Sequence, residues 1–200
     1  MWAFLFTCLI IELTPGPNMT WLAVLGATRG RMAAFAAVAG IALGLALSGV
    51  VAGLGLTVLF DNFPGLLVAL RFAGTLYLFY LAYDAWTDAG QSPDARALPK
   101  SAYFYQGFLS NALNPKAYLF YGAILPQFLT INDHPPQEVA VLTGIYVAVA
   151  TTIHACIGFL AGSIAGWLAT SPSAKLLRRV LAVAIAVAGV WFFISTEHIQ

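Results

Sequence analysis

The sequence predicts an all-α integral membrane protein: six transmembrane helices forming two inverted three-helix repeats, with the first and fourth helices broken by proline motifs. Three observations carry this. Of the 200 residues, 60% are hydrophobic and 8% charged, at a mean hydropathy of +0.85, where a soluble domain carries about 25% charged residues. Stretches without Asp, Glu, Lys or Arg run over residues 32–60, 139–174 and 180–196, each near or above the roughly 20 apolar residues that cross a bilayer. Basic residues also fall only in every second loop.

The first span covers residues 2–25 and contains the run Leu13-Thr14-Pro15-Gly16-Pro17-Asn18. Two prolines remove backbone donors and clash with the preceding turn, so the helix must break there. The segment lacks a basic leader, and Glu12 before Pro-Gly-Pro is a poor cleavage site, so it reads as a retained span rather than a signal peptide. Arg29-Gly30-Arg31 leads into the second span, residues 32–60. The turn at 61–65 leads into the third, residues 64–86. A polar stretch over 88–101 precedes the fourth span, residues 103–129, which is interrupted by Asn114-Pro115-Lys116. The fifth covers residues 139–169 and the sixth residues 176–195, separated by Ser171-Pro172-Ser173. The second and fifth are long enough to tilt or to protrude from the hydrocarbon.

Arg29 and Arg31 lie in the first loop, Arg96 and Lys100 in the third, and Lys175, Arg178 and Arg179 in the fifth; the second and fourth carry Asp61, Asp133 and Glu138. By the positive-inside rule the odd loops are cytoplasmic and both termini periplasmic. The chain forms one transporter domain, residues 1–200, with repeat one about 1–88 and repeat two about 102–197. Three spans per half give the opposite entry that inverted repeats require.

Paired helix breaks in opposite halves are the best sequence pointer to a transporter's binding site. Each break exposes a half-helix amino terminus suited to a carboxylate. Asn18 and Asn114 add polar side chains and Lys116 a cation. Two proline kinks that only shape the packing are the plainer alternative. A charge at membrane depth costs roughly 2.5–3.5 kcal/mol on insertion scales, so Glu12, Arg71, Lys116 and His154 each need a reason. Glu12 is the acid deepest in a span, placed to carry a proton or to partner Lys116. His154 titrates near neutrality in its unperturbed state, or sits on a backbone carbonyl. Arg71 is expected to snorkel to the outer interface.

Gly40, Gly44 and Ser48, and Gly158, Gly162 and Gly166, follow the small-xxx-small spacing that brings helices close. Internal packing is the first reading, a homodimer the second. Trp2, Trp86, Trp167 and Trp191 fall near span ends, as an interfacial belt requires. Cys8 and Cys156 read as buried apolar thiols rather than a disulfide. No basic tract suits nucleic acid, no phosphate loop suits ATP, no metal-ligand spacing occurs, and no cofactor or enzyme motif is present.

Thr14-Pro15-Gly16-Pro17-Asn18, Gly74-Thr75-Leu76-Tyr77-Leu78, Phe108 to Asn111, Asn114-Pro115-Lys116, Leu125-Pro126-Gln127-Phe128 and Gly189 occur in one order along the chain. This series resembles the LysE/RhtB superfamily of amino-acid exporters. Tyr83-Asp84 and the few basic residues after the third span depart from its usual pattern. The resemblance implies a bacterial inner-membrane exporter of amino acids or their derivatives, driven by protons. Thr14, Pro15, Gly16, Pro17, Asn18, Asn114, Pro115 and Lys116 are then the substrate-binding candidates. Glu12 and His154, outside any motif, are the proton-coupling candidates on physical grounds alone. A passive channel or an inorganic-cation exporter is the alternative.

Overall fold

The computed structural model describes residues 1–53, 63, 65–88, 98–129, 136–171 and 173–195. The expected end of the second span, Arg96, Asp61, Asp133 and Pro172 lie outside the described residues. All regular structure described is helical, in the order α1 (Trp2–Leu13), α2 (Pro17–Arg29), α3 (Arg31–Gly53), α4 (Gly65–Asp88), α5 (Lys100–Ala112) and α6 (Pro115–Leu119). A π-helical turn (Phe120–Ile124) and a 3-10 turn (Leu125–Phe128) follow, then α7 (Pro136–Ser163), α8 (Ala165–Thr170) and α9 (Ala174–Ser195).

Both expected breaks are present, and one steric rule accounts for them. The residue before a proline is pushed out of helical geometry by the ring's Cδ. Thr14 (φ −65°, ψ 118°) and Gly16 (φ −150°, ψ 172°) are extended accordingly, and so is Asn114 (φ −93°, ψ 105°). α1 and α2 meet at 61° across the first break. Proline then takes the first helical position of both α2 and α6, where its missing N–H removes nothing.

Four helical segments are long and apolar enough to cross a membrane: Arg31–Gly53, Gly65–Thr87, Pro136–Thr170 and Ala174–Ile194. The α1–α2 pair raises this to five if it is one span. The expected fourth span is instead a series of short pieces. α5 stops at Ala112, α6 has 5 residues, and the chain then widens to π and tightens to 3-10 geometry at Pro126. The expected fifth span is also interrupted, at Ile164 (φ −92°, ψ −3°) between α7 and α8.

α3 packs chiefly along α5 and α7, α4 along α9, and α2 along α7. Bare backbone makes the closest of these contacts possible. A Cβ at Gly40 would strike the Phe104 carbonyl oxygen, and one at Gly107 the Ala37 carbonyl oxygen. Gly158 meets Ala34 at 2.9 Å from its would-be Cβ, and Gly162 lies closer still to Arg31, whereas Gly166 has nothing within 4 Å. Gly40, Gly158 and Gly162 are thus occupied by packing inside the chain. Large apolar side chains such as Phe6, Ile10, Leu76 and Val187 are exposed on the outside, as a protein solvated by lipid requires.

Arg71 departs from expectation. It is 7% exposed rather than reaching outward, and its guanidinium lies 4.0 Å over the Phe193 ring. That cation–π contact between α4 and α9 gives the charge an internal partner. Cys8 is buried, Cys156 exposed, and both are free.

Candidate functional site

The two breaks meet although about a hundred residues separate them. Nζ of Lys116 donates to the Thr14 carbonyl oxygen at 3.4 Å. That oxygen lies past the last turn of α1, where a helix leaves carbonyls without partners. Oδ1 of Asn114 accepts from the Lys116 amide at 3.0 Å, an N-cap that fixes the start of α6 and so the root of the lysine side chain.

Behind this contact lies a polar cavity lined by Glu12, Gly16, Pro17, Asn18, Asn114, Lys116 and His154, with Asn111 and Tyr146. Glu12 stands at its centre. One carboxylate oxygen accepts from the Tyr146 hydroxyl at 2.7 Å and lies 3.9 Å from Nζ of Lys116; the other lies 3.8 Å from Nε2 of His154. Glu12 and His154 are both buried, while the Lys116 side chain keeps 28% of its surface exposed. On the far side of the break, Asn18 donates to Oδ1 of Asn111 at 3.3 Å and accepts from the Ser110 hydroxyl at 2.7 Å. Among the described residues, Nδ1 of His154 and Nδ2 of Asn111 are buried nitrogens without a hydrogen-bond partner. An unpaired buried polar group is costly, so each holds hydrogen-bonding capacity that the fold leaves unused.

The polar cavity is closed down to about 10 Å³, the space of about one water. A second cavity of about 280 Å³ opens on the other face of the same break. Gly16, Pro17 and Lys116 line both, so Lys116 stands between them. Thr14 and Pro15 line the second cavity only, beside the apolar side chains of Ile11, Leu119, Phe120, Ile124, Trp191 and Phe192. Pro115 lines neither and is buried at the start of α6. No group of three or more His, Cys, Asp or Glu side chains that could hold a metal occurs among the described residues.

The sequence singles out Glu12, Lys116 and His154 and offers Lys116 as a partner of Glu12; the structure brings all three together. Tyr146, Ser110 and the role of Asn111 were not anticipated. A signal for Tyr146 is present in the chain: Tyr146, Ala150, His154 and Gly158 recur every four residues and form the buried face of α7. Phe120, in the π-helical turn, stacks on Tyr146 with ring centroids 3.6 Å apart. The wide turn thus positions the ring that positions Glu12's donor, and π-bulges often mark functional sites.

The family model described as LysE type translocator matches residues 9–196. The homoserine/homoserine lactone efflux protein of Salmonella typhimurium is 27% identical over 180 residues, covering 88% of this chain and 87% of the relative. The leucine efflux protein of Klebsiella pneumoniae subsp. pneumoniae is 29% identical over 164 residues, covering 80% and 77%. The uncharacterized membrane protein YrhP of Bacillus subtilis is 28% identical over 163 residues, covering 76% and 78%. No solved structure matches.

Proposed function

The chain belongs to the LysE type translocator family, and from that premise we propose that it is a secondary active exporter of amino acids or amino-acid derivatives, acting by proton antiport in the bacterial inner membrane. The efflux activities named for its homoserine and leucine relatives support the substrate class. The observation that carries the site assignment is the meeting of the two breaks through Lys116 and the Thr14 carbonyl at 3.4 Å.

In this reading the substrate carboxylate binds between the breaks. Lys116 supplies the charge, Asn18 and Asn114 supply polar contacts, and the first amides of α2, which have no carbonyl before them, face the anion. Lys116 lies 3.9 Å from Glu12. The ammonium group of the substrate and a proton compete for the Glu12 carboxylate, so proton uptake there drives substrate release, with His154 at 3.8 Å as the second proton group. Binding one ligand thus alters the site of the other, as coupled transport requires. Six spans with both termini periplasmic, and rocking of one three-helix repeat against the other, complete the cycle.

Proteoliposomes test this. Amino-acid counterflow that saturates and responds to an imposed pH gradient supports the exporter; non-saturating flux would instead mean a passive channel. An inorganic-cation exporter is disfavoured by the cavity itself. Among the described residues Glu12 is the single acid lining it, and Lys116 stands beside that acid, whereas a divalent cation needs several oxygen ligands.

A further inference from the structure

We propose that the apolar cavity beside the break is the side-chain subsite of the transport site, and that it selects amino acids with a bulky apolar side chain over small or hydroxylated ones. This rests on the exporter reading and refines its substrate class.

Room decides first. The polar cavity around Glu12 is closed to about 10 Å³, so it accepts nothing larger than a water in this conformation. The neighbouring cavity, at about 280 Å³, has space for a side chain of several carbons. Lys116 lines both, and its side chain keeps more than a quarter of its surface exposed. A ligand whose carboxylate meets Nζ of Lys116 therefore extends its remaining bulk into the larger space.

The chemistry of that space then sets the preference. Its walls are Ile11, Leu119, Phe120, Ile124, Trp191 and Phe192, with Thr14 and Lys116 at the rim by the break. An apolar side chain gains by leaving water for such walls in proportion to its area. A hydroxyl group there would lose its hydrogen bonds to water and meet carbon in return. Charge complementarity identifies the occupant. Among the described residues Lys116 is the one charged side chain on the cavity wall, and it is matched by a molecule with an anionic head and an apolar body. Among amino acids that is the leucine and phenylalanine class. Phe120 lines the cavity and also stacks on Tyr146 at 3.6 Å, so the occupant touches the ring that backs Glu12's hydrogen-bond donor.

The test is counterflow into proteoliposomes by the full chain, with leucine, phenylalanine, alanine and homoserine as substrates. Leucine is expected to be carried at about tenfold or more the kcat/KM of alanine and homoserine, the scale on which an apolar pocket discriminates. Leu119→Trp fills the cavity and should lower the leucine-to-alanine ratio by about tenfold. Leu119→Ala enlarges it and should raise phenylalanine relative to leucine, which carries the test if the tryptophan variant does not reach the membrane. Equal transport of all four by the unaltered protein, or ratios untouched by substitution at Leu119 as for a cavity filled by lipid, overturns the subsite and leaves the exporter standing. Counterflow of no amino acid overturns the exporter reading and the subsite with it.

Discussion

The hydroxyl of Tyr146 donates to the carboxylate of Glu12 at 2.7 Å, tying the last turn of α1 to the middle of α7 beside the first helix break. Lys116 and His154 stand 3.9 and 3.8 Å from the same carboxylate. A buried acid with a neutral donor, a cation and an imidazole around it can keep its hydrogen bond in either protonation state. This suits the proton-carrying role proposed for Glu12.

Glu12→Gln keeps an oxygen to accept from Tyr146 but removes the charge that changes. Substrate exchange at equal pH on both sides should persist, while efflux driven by a pH gradient is lost. Counterflow and gradient-driven transport in the same proteoliposomes separate the two. Retention of gradient-driven efflux would move the proton to another group, with His154 next to be tested.

Tyr146→Phe leaves the ring stacked on Phe120 and removes only the donor to Glu12. Leaving a buried acceptor unpaired costs about 1–3 kcal/mol, so thermal unfolding in detergent should occur at a lower temperature than for the unaltered protein. An unchanged transition would mean that the 2.7 Å contact contributes nothing to the fold.

The helix contacts predict a contrast between two glycines. Gly107→Ala puts a methyl group into the Ala37 carbonyl, where neither backbone can yield cheaply, and overpacking of this kind costs about 1–3 kcal/mol. Gly166→Ala meets nothing within 4 Å and should be neutral or stabilising by up to about 1 kcal/mol, the helix propensity difference. Thermal unfolding of the pair checks the sign of both.

Much of this is legible in the sequence, for identifiable reasons. Prolines act locally and disfavour helical geometry in the residue before them, so Thr14, Gly16 and Asn114 are extended, although Leu125 before Pro126 stays helical (φ −55°, ψ −41°). Charges at membrane depth are expensive, so Glu12, Lys116 and His154 stand out from their apolar surroundings. What a sequence of this kind conceals is which way a side chain faces. In a soluble helix the polar face reveals the buried one, but in lipid both faces are apolar, and Tyr146 is marked only by its helical spacing from His154. The burial of Arg71 is hidden for a related reason: snorkelling is the default for a long cation near a span end, and the Phe193 ring that receives it lies far along the chain. The π-helical turn that follows the second break is equally silent, because no sequence feature distinguishes π from α geometry at Phe120–Ile124.

If the two breaks form one substrate site through Lys116 and Asn18, each of these side chains is indispensable to transport and neither to membrane insertion. Amino-acid counterflow by Lys116→Ala and by Asn18→Ala, each purified and reconstituted beside the unaltered protein, decides this. Both variants should insert in the membrane and lose transport. Saturable counterflow at the unaltered rate by both would contradict the site.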